Sequence, residues 1–130
     1  MKKVTAAIIF KDQRVLLTRR NKGEVLAGFW EFPGGKIDDD ETPQSCLERE
    51  LKEELGINTK AGKMLAVSEY RYEHGAFQII AIQTEILNGD IRLTVHDRAE
   101  WVLIENLEEY KLAPADVTIA KRLLEVRNEL

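Results

Sequence analysis

The order of elements in this chain predicts an α+β sandwich. Strand-like apolar runs lie on both sides of one central amphipathic helix, and a second amphipathic helix closes the chain. Val4–Phe10 (VTAAIIF) is apolar throughout, as a buried strand would be; KDQR is a polar turn, and Val15–Arg19 returns to complete a hairpin. Residues 20–28 (RNKGEVLAG) are polar and punctuated by glycine, so a loop is expected. Phe29–Phe32 is a short extended piece closed by Pro33-Gly34-Gly35. Thr42-Pro43 starts the central helix, with threonine as N-cap and proline at the first helical position, where its missing N–H costs nothing. Leu47, Leu51 and Leu55 form the buried stripe, and Gly56 ends the helix. Strands are expected at Lys63–Tyr70, Phe77–Ile86 and Trp101–Ile104, with a short one at Ile91–Thr94. From about Ala115, the spacing of Ile119, Leu123, Val126 and Leu130 predicts the last helix.

Residues 1–130 suffice for one domain with a real core, without disulfides or a structural metal. A hydrophobic content of 44% beside 32% charged residues fits a soluble globular protein. The net charge of −4 argues against a grip on polymeric nucleic acid, which needs clustered cations, but leaves room for a nucleotide. The single cysteine, Cys46, excludes an internal disulfide and a cysteine-based zinc site, and reads as a packing residue. There is no leader-like start and no apolar run approaching about 18 residues, so a cytoplasmic protein without membrane contact is expected.

Residues 48–56 read ERELKEELG. At about 100° per residue, Glu50, Glu53 and Glu54 share a sector about 100° wide, bordered by the leucine stripe. Three clustered carboxylates repel unless a cation neutralises them, and an all-oxygen site suits Mg²⁺ or Mn²⁺. A solvated helix face partnered by Lys52 and Arg49 is the alternative on this segment alone. Glu48 points away from that sector and is expected to be ordinary surface.

The flanks decide between the two. From Gly35 the chain reads GKIDDDETPQSCLERELKEELGI. It resembles the signature of the Nudix hydrolase family at Gly35, Glu41, Arg49, Glu50, Leu51, Glu53, Glu54, Gly56 and Ile57. Chance agreement on this many single residue types is on the order of one in a million or less. The resemblance implies an α/β/α sandwich around a central mixed β-sheet and a hydrolase acting on nucleoside diphosphate derivatives. It implies Glu50, Glu53 and Glu54 as metal ligands, joined by the Gly35 carbonyl, with Glu53 also the general base. Arg49 then orients a glutamate, and Glu41 is outer or structural.

FWEFPGGK (Phe29–Lys36) is similar to the stretch leading into the signature in MutT-type nucleoside triphosphate pyrophosphohydrolases. That likeness places Lys36 on phosphate and Arg20 near nucleotide, Arg19 being the weaker partner. LAPAD near the C-terminus resembles the CTP pyrophosphohydrolase branch, which makes Asp116 a reader of the base; its alternative is an N-cap of the last helix. An ionised carboxylate only accepts hydrogen bonds, so Asp116 favours a base presenting an amino group. Phe29, Trp30, Tyr72 and Phe77 are candidates for base stacking or for the core. MutT-type chains often carry a further glutamate about six residues before the tryptophan; here that place is Val95, with Asp97 nearby as a substitute. His74 and His96 read as solvated. The expected activity is metal-dependent hydrolysis of a (d)NTP, cytosine-bearing or oxidised, to monophosphate and pyrophosphate, by a monomer or homodimer. Other Nudix substrates such as ADP-ribose, and a non-catalytic nucleotide sensor, are the alternatives.

Overall fold

Residues 1–130 are described by a computed structural model. The first strand, β1 (Lys2–Lys11), is buried without a break from Thr5 to Ile9 because both faces of that stretch are covered. Ala6 and Ile8 point into one core with Val15, Leu17, Ile119 and Leu123; Ala7 and Ile9 point into another with Leu47, Leu51 and Leu55. A strand covered on both sides reads as a continuous apolar run rather than an alternation, which is why VTAAIIF looks as it does.

The hairpin forms as expected. β2 (Arg14–Arg20) pairs with β1 across a two-residue turn in which Asp12 (φ 50°) and Gln13 (φ 65°) are both left-handed, the twist that tight hairpins favour. The two strands pair only at Phe10–Val15 and Lys11–Arg14. Beyond that, residues 30–36 join both strands. β3 (Trp30–Glu31) pairs with β2, while Ala7 N–H donates to the Pro33 carbonyl (2.7 Å) and Thr5 N–H to that of Gly35 (2.8 Å). A Cβ on Gly34 would collide with the Thr5 carbonyl, so only glycine lets the two backbones approach this closely.

The sheet is completed by β4 (Asn58–Tyr72), β5 (Gly75–Asn88) and β6 (His96–Leu103), in the order β3-β2-β1-β5-β4 with β6 on β2. β1 and β5 run parallel and the other pairs antiparallel, giving the mixed sheet that was expected. Helix α1 (Pro43–Leu55) covers one face through its leucines, and α2 (Pro114–Val126) covers the other through Ile119, Ala120 and Leu123.

Four expectations need correction. β4 starts at Asn58, five residues before the expected Lys63, because bulges around Ala61–Ala66 carry it past Gly62. Two α1 side chains hold that irregularity: Glu48 accepts the Ala61 N–H (2.8 Å) and Gln44 donates to the Gly62 carbonyl (3.1 Å). Glu48 is thus a tether between helix and sheet, not ordinary surface. Ile91–Thr94 is no strand; it covers the end of α1, where Arg92 N–H reaches the Leu55 carbonyl and the Thr94 hydroxyl that of Glu54 (both 2.8 Å). The strand expected at Trp101–Ile104 begins at His96, and Ile104–Glu109 is a 3-10 helix.

Candidate active site

The carboxylate helix starts where the loop leaves the sheet. Thr42 Oγ1 accepts from Ser45 N–H and Ser45 Oγ accepts from Thr42 N–H (both 3.1 Å), a reciprocal cap that fixes the first turn. Gly56, at φ 70°, ends the helix in the left-handed conformation that glycine adopts freely.

Arg49 organises the acidic groups. Its Nε and Nη2 fork onto Glu41 (2.6 and 2.9 Å), while Nη1 donates to Glu50 (3.0 Å) and Glu53 (3.2 Å). The fork and the Asp38 N–H hold the Glu41 carboxyl down at about 2. Glu50 lies against Gly35, where any Cβ would collide with its carboxylate, and burial raises its pKa. Glu54 is pushed up to about 8, first by burial and then by the charges of Glu50 and Glu31. Its Oε2 is buried with no hydrogen-bond partner, a cost of about 1–3 kcal/mol.

A buried, partnerless carboxylate oxygen beside two more carboxylates is what a hard divalent cation satisfies, so the donor set of Glu50, Glu53 and Glu54 fits one. The three do not converge into a closed ligand set by themselves, since Arg49 holds oxygens of Glu50 and Glu53. The Gly35 carbonyl, the further expected ligand, accepts from Thr5 N–H (2.8 Å) and from Thr5 Oγ1 (3.0 Å), and the glycine leaves room for Glu50.

Beside Gly34 and Gly35 opens a cleft of about 510 Å³, lined by Arg20, Glu31, Phe32 and Asp116 among others. Glu31 accepts from Arg20 Nη1 (3.3 Å) and pairs with His96 Nε2 (2.8 Å). Asp116 is buried in the first turn of α2, whose N-cap is Ala113, and accepts the Phe32 N–H (3.3 Å). The capping alternative for Asp116 therefore falls. The start of α2 is brought to β3 by backbone pairing: Trp30 N–H donates to Lys111 and Ala113 N–H to Trp30 (both 2.8 Å). Burial, then the charge of Glu31, raises the Asp116 pKa well above the usual carboxylate range. A raised pKa favours the protonated form, and a carboxyl in that form donates as well as accepts, so the acceptor-only expectation describes the ionised form alone.

The other expected residues divide. Arg20 lines the cleft, but its donors reach Val25 O (3.1 Å) and Glu31. Lys36 is exposed and lines a neighbouring depression with Lys3, Asp38 and Glu41, outside the cleft. Asp97 is forked by Arg19 (2.7 and 3.0 Å) and does not line the cleft, so it does not replace the absent glutamate. Tyr72 and Phe77 line the cleft, whereas Trp30 meets Tyr110 edge-on in the core and Phe29 lies under Lys111.

Sequence reasoning missed Glu31, and it misread His96, which is buried rather than solvated. Glu31 carries a signal, as the one polar residue in FWEF, placed by alternation on the opposite face from Trp30 and Phe32. His96 carries none, because its partner lies 65 residues away in sequence.

Residues 1–123 match the NUDIX domain family. The chain belongs to the Nudix family. It is 34% identical over 127 residues to the CTP pyrophosphohydrolase of Escherichia coli, covering 98% of this chain and 94% of that one. A putative 8-oxo-dGTP diphosphatase 2 of Mycobacterium tuberculosis is 32% identical over 120 residues, covering 87% and 81%. Among solved structures, the solution structure of the E. coli ORF135 protein superposes with a TM-score of 0.86 at 33% identity, covering 99% and 92%. This Nudix chain is therefore a hydrolase of phosphoanhydride bonds, and its family signature falls on the loop from Gly35 and on the Arg49 helix.

Proposed function

We propose that the chain hydrolyses a nucleoside triphosphate, cytosine-bearing or oxidised, to the monophosphate and pyrophosphate, as a cytoplasmic clean-up enzyme of the nucleotide pool. The observation that carries this reading is the buried Asp116 carboxyl beside Glu31 at one end of the cleft, with Glu54 electrostatically coupled to Glu31. A protonated carboxyl presents O–H and C=O side by side, which complements N3 and the N4 amino group of cytosine. The same pair meets O6 and N1–H of guanine, and the likeness to 8-oxo-dGTP diphosphatases supports that second base.

Glu50, Glu53 and Glu54 would hold a divalent cation, Mg²⁺ or Mn²⁺, which would supply positive charge against the phosphate chain and Lewis acidity at phosphorus. Glu53, the most exposed of the three, takes the proton of the attacking water. Arg49 fixes the direction of Glu53 and Glu50 from behind. Lys36, on the outer side of the loop, offers a point charge to the phosphate chain.

The test is a panel of CTP, dCTP, 5-substituted dCTP, dGTP, 8-oxo-dGTP and ADP-ribose with Mg²⁺, scored for pyrophosphate against phosphate release. Pyrophosphate from a triphosphate supports the reading, and turnover of ADP-ribose alone overturns it. Asp116→Asn keeps the donor-and-acceptor pair but removes the titratable group. It should therefore keep the base ranking, whereas Asp116→Ala removes both donor and acceptor; a ranking unchanged in Asp116→Ala removes Asp116 from base reading.

A further inference from the structure

The reaction proposed above leaves one wall of the cleft without a role. Val25 and Leu26, in the loop between β2 and β3, line the cleft while remaining 77% and 44% exposed. Leu26 has φ 61°, a conformation that a branched side chain adopts only at a cost, and its exposure gives little burial in return. The loop is nonetheless held in place. Arg20 Nε–H donates to the Val25 carbonyl (3.1 Å), Phe29 N–H to that of Leu26 (3.0 Å), and the same guanidinium reaches Glu31. On the other side of β1, the β4–β5 hairpin contributes Tyr70, Tyr72 and Phe77 to the same cleft. Their ring centroids lie 5.6 to 6.4 Å apart, a continuous aromatic surface that is not closed over by the core.

We infer that Val25 and Leu26 form an aliphatic jaw that works with Tyr70, Tyr72 and Phe77 to grip the two faces of the substrate's base, and that Arg20 is the positioning residue holding that jaw. The base enters flat between aliphatic and aromatic surfaces, with its polar edge toward Asp116 and Glu31. Arg20 therefore acts on the base end through the Val25 carbonyl, not as a contact to phosphate. The inference rests on the proposed nucleotide substrate and adds the residues that set which base is held.

The experiment uses the metal-free full chain and titration calorimetry with CMP, dCMP, 5-methyl-dCMP, dGMP and 8-oxo-dGMP, with ribose 5-phosphate as the probe without a base. The variants are the double substitution Val25→Ser with Leu26→Gly, and Arg20→Lys. Glycine accepts the left-handed backbone, so the double variant melts at or above the wild type. It is expected to lose about tenfold or more in affinity for the best-bound nucleotide, with ribose 5-phosphate unchanged. Arg20→Lys keeps the charge, loses the fork, and is expected to show the same pattern. Nucleotide affinities and their ranking unchanged in the double variant overturn the jaw, as does a wild type that binds nucleotides no better than ribose 5-phosphate. An Arg20→Lys loss equal for nucleotides and ribose 5-phosphate overturns the positioning role. A wild type that holds all bases equally well defeats the base preference proposed above, while the jaw is still decided by the variant's loss against ribose 5-phosphate.

Discussion

The two ends of the site neutralise their acids by different means. On the phosphate side, Asp38, Glu41, Glu50 and Glu53 gather around one partly exposed guanidinium, that of Arg49, within a single stretch of chain. Glu41 is held ionised there, down at about 2. On the proposed base side, Arg20, Glu31, His96 and Asp116 come from β2, β3, β6 and α2, and burial, then the charge of Glu31, raises the Asp116 pKa. Glu54 stands between the two, partnerless and raised to about 8. Four acids around one guanidinium leave excess negative charge that a divalent cation can offset. A buried carboxyl held by a backbone N–H has a fixed direction instead, which suits it to recognition.

The largest effect should come from the group assigned to the water. Glu53→Gln keeps the volume and the Arg49 contact but cannot take a proton, so pyrophosphate release with Mg²⁺ should fall roughly 10²–10⁴-fold. Folding should be unaffected, since Glu53 is exposed. A mutant as fast as wild type would move the base to another group and break the division of labour just drawn.

Glu54 tests the border between the two ends. Its folded value of about 8 lies above its ordinary 4.5, so the folded metal-free protein binds this proton more tightly than the unfolded chain. The resulting stabilisation is complete below about pH 4.5 and is lost as pH rises to about 8, when a buried oxygen is left charged. The change should reach about 3 kcal/mol at most, allowing for solvent at a half-buried group. Urea unfolding of metal-free wild type should show this fall, and Glu54→Gln should flatten it. Added Mg²⁺ should restore stability at pH 8 in the wild type and much less in the variant. Parallel pH curves for the two proteins would mean that Glu54 does not carry the shift.

Arg49→Ala should come next. Losing a group that orients ligands typically costs about 10–100-fold in activity or metal affinity. Excess Mg²⁺ should recover part of the loss, because the cation then supplies the balancing charge itself. Failure of any Mg²⁺ concentration to narrow the gap would show that Arg49 acts on the substrate directly.

Legibility in the sequence followed the same division. The helix side was legible down to the capping threonine because its carboxylates, its cap and its leucine stripe all lie on one loop and helix, where spacing determines which side chains meet. In the cleft, Arg20 and Asp116 were named through flanking resemblance and Tyr72 and Phe77 as aromatic candidates, and all four line it. Glu31, His96, Tyr70, Val25 and Leu26 meet through sheet register and a loop conformation, neither of which leaves a periodic trace. The bonds from Thr5 to the Gly35 carbonyl were not legible, because the entry of residues 30–36 beside β1 depends on where β1 and β2 stop pairing, a tertiary property. β4 was set too late for a related reason: two side chains from α1 hold its bulged region, so local propensity around Gly62 pointed to a break where the strand in fact continues.

Glu48 provides the smallest and most discriminating test of how the helix divides its glutamates. It shares α1 with Glu50, Glu53 and Glu54, yet its carboxylate accepts the Ala61 N–H at the β4 bulge. Glu48→Ala removes one hydrogen bond to a partly buried backbone group and should cost about 0.5–1.5 kcal/mol in urea unfolding. Its kcat and KM should stay within about twofold of wild type, since nothing on the catalytic face changes. Glu48→Gln can still accept from Ala61 N–H and should recover most of the stability. A Glu48→Ala variant of normal stability but depressed kcat would contradict both halves of this assignment. It would mean that acidity along the whole helix, rather than the sector of Glu50, Glu53 and Glu54, governs the reaction.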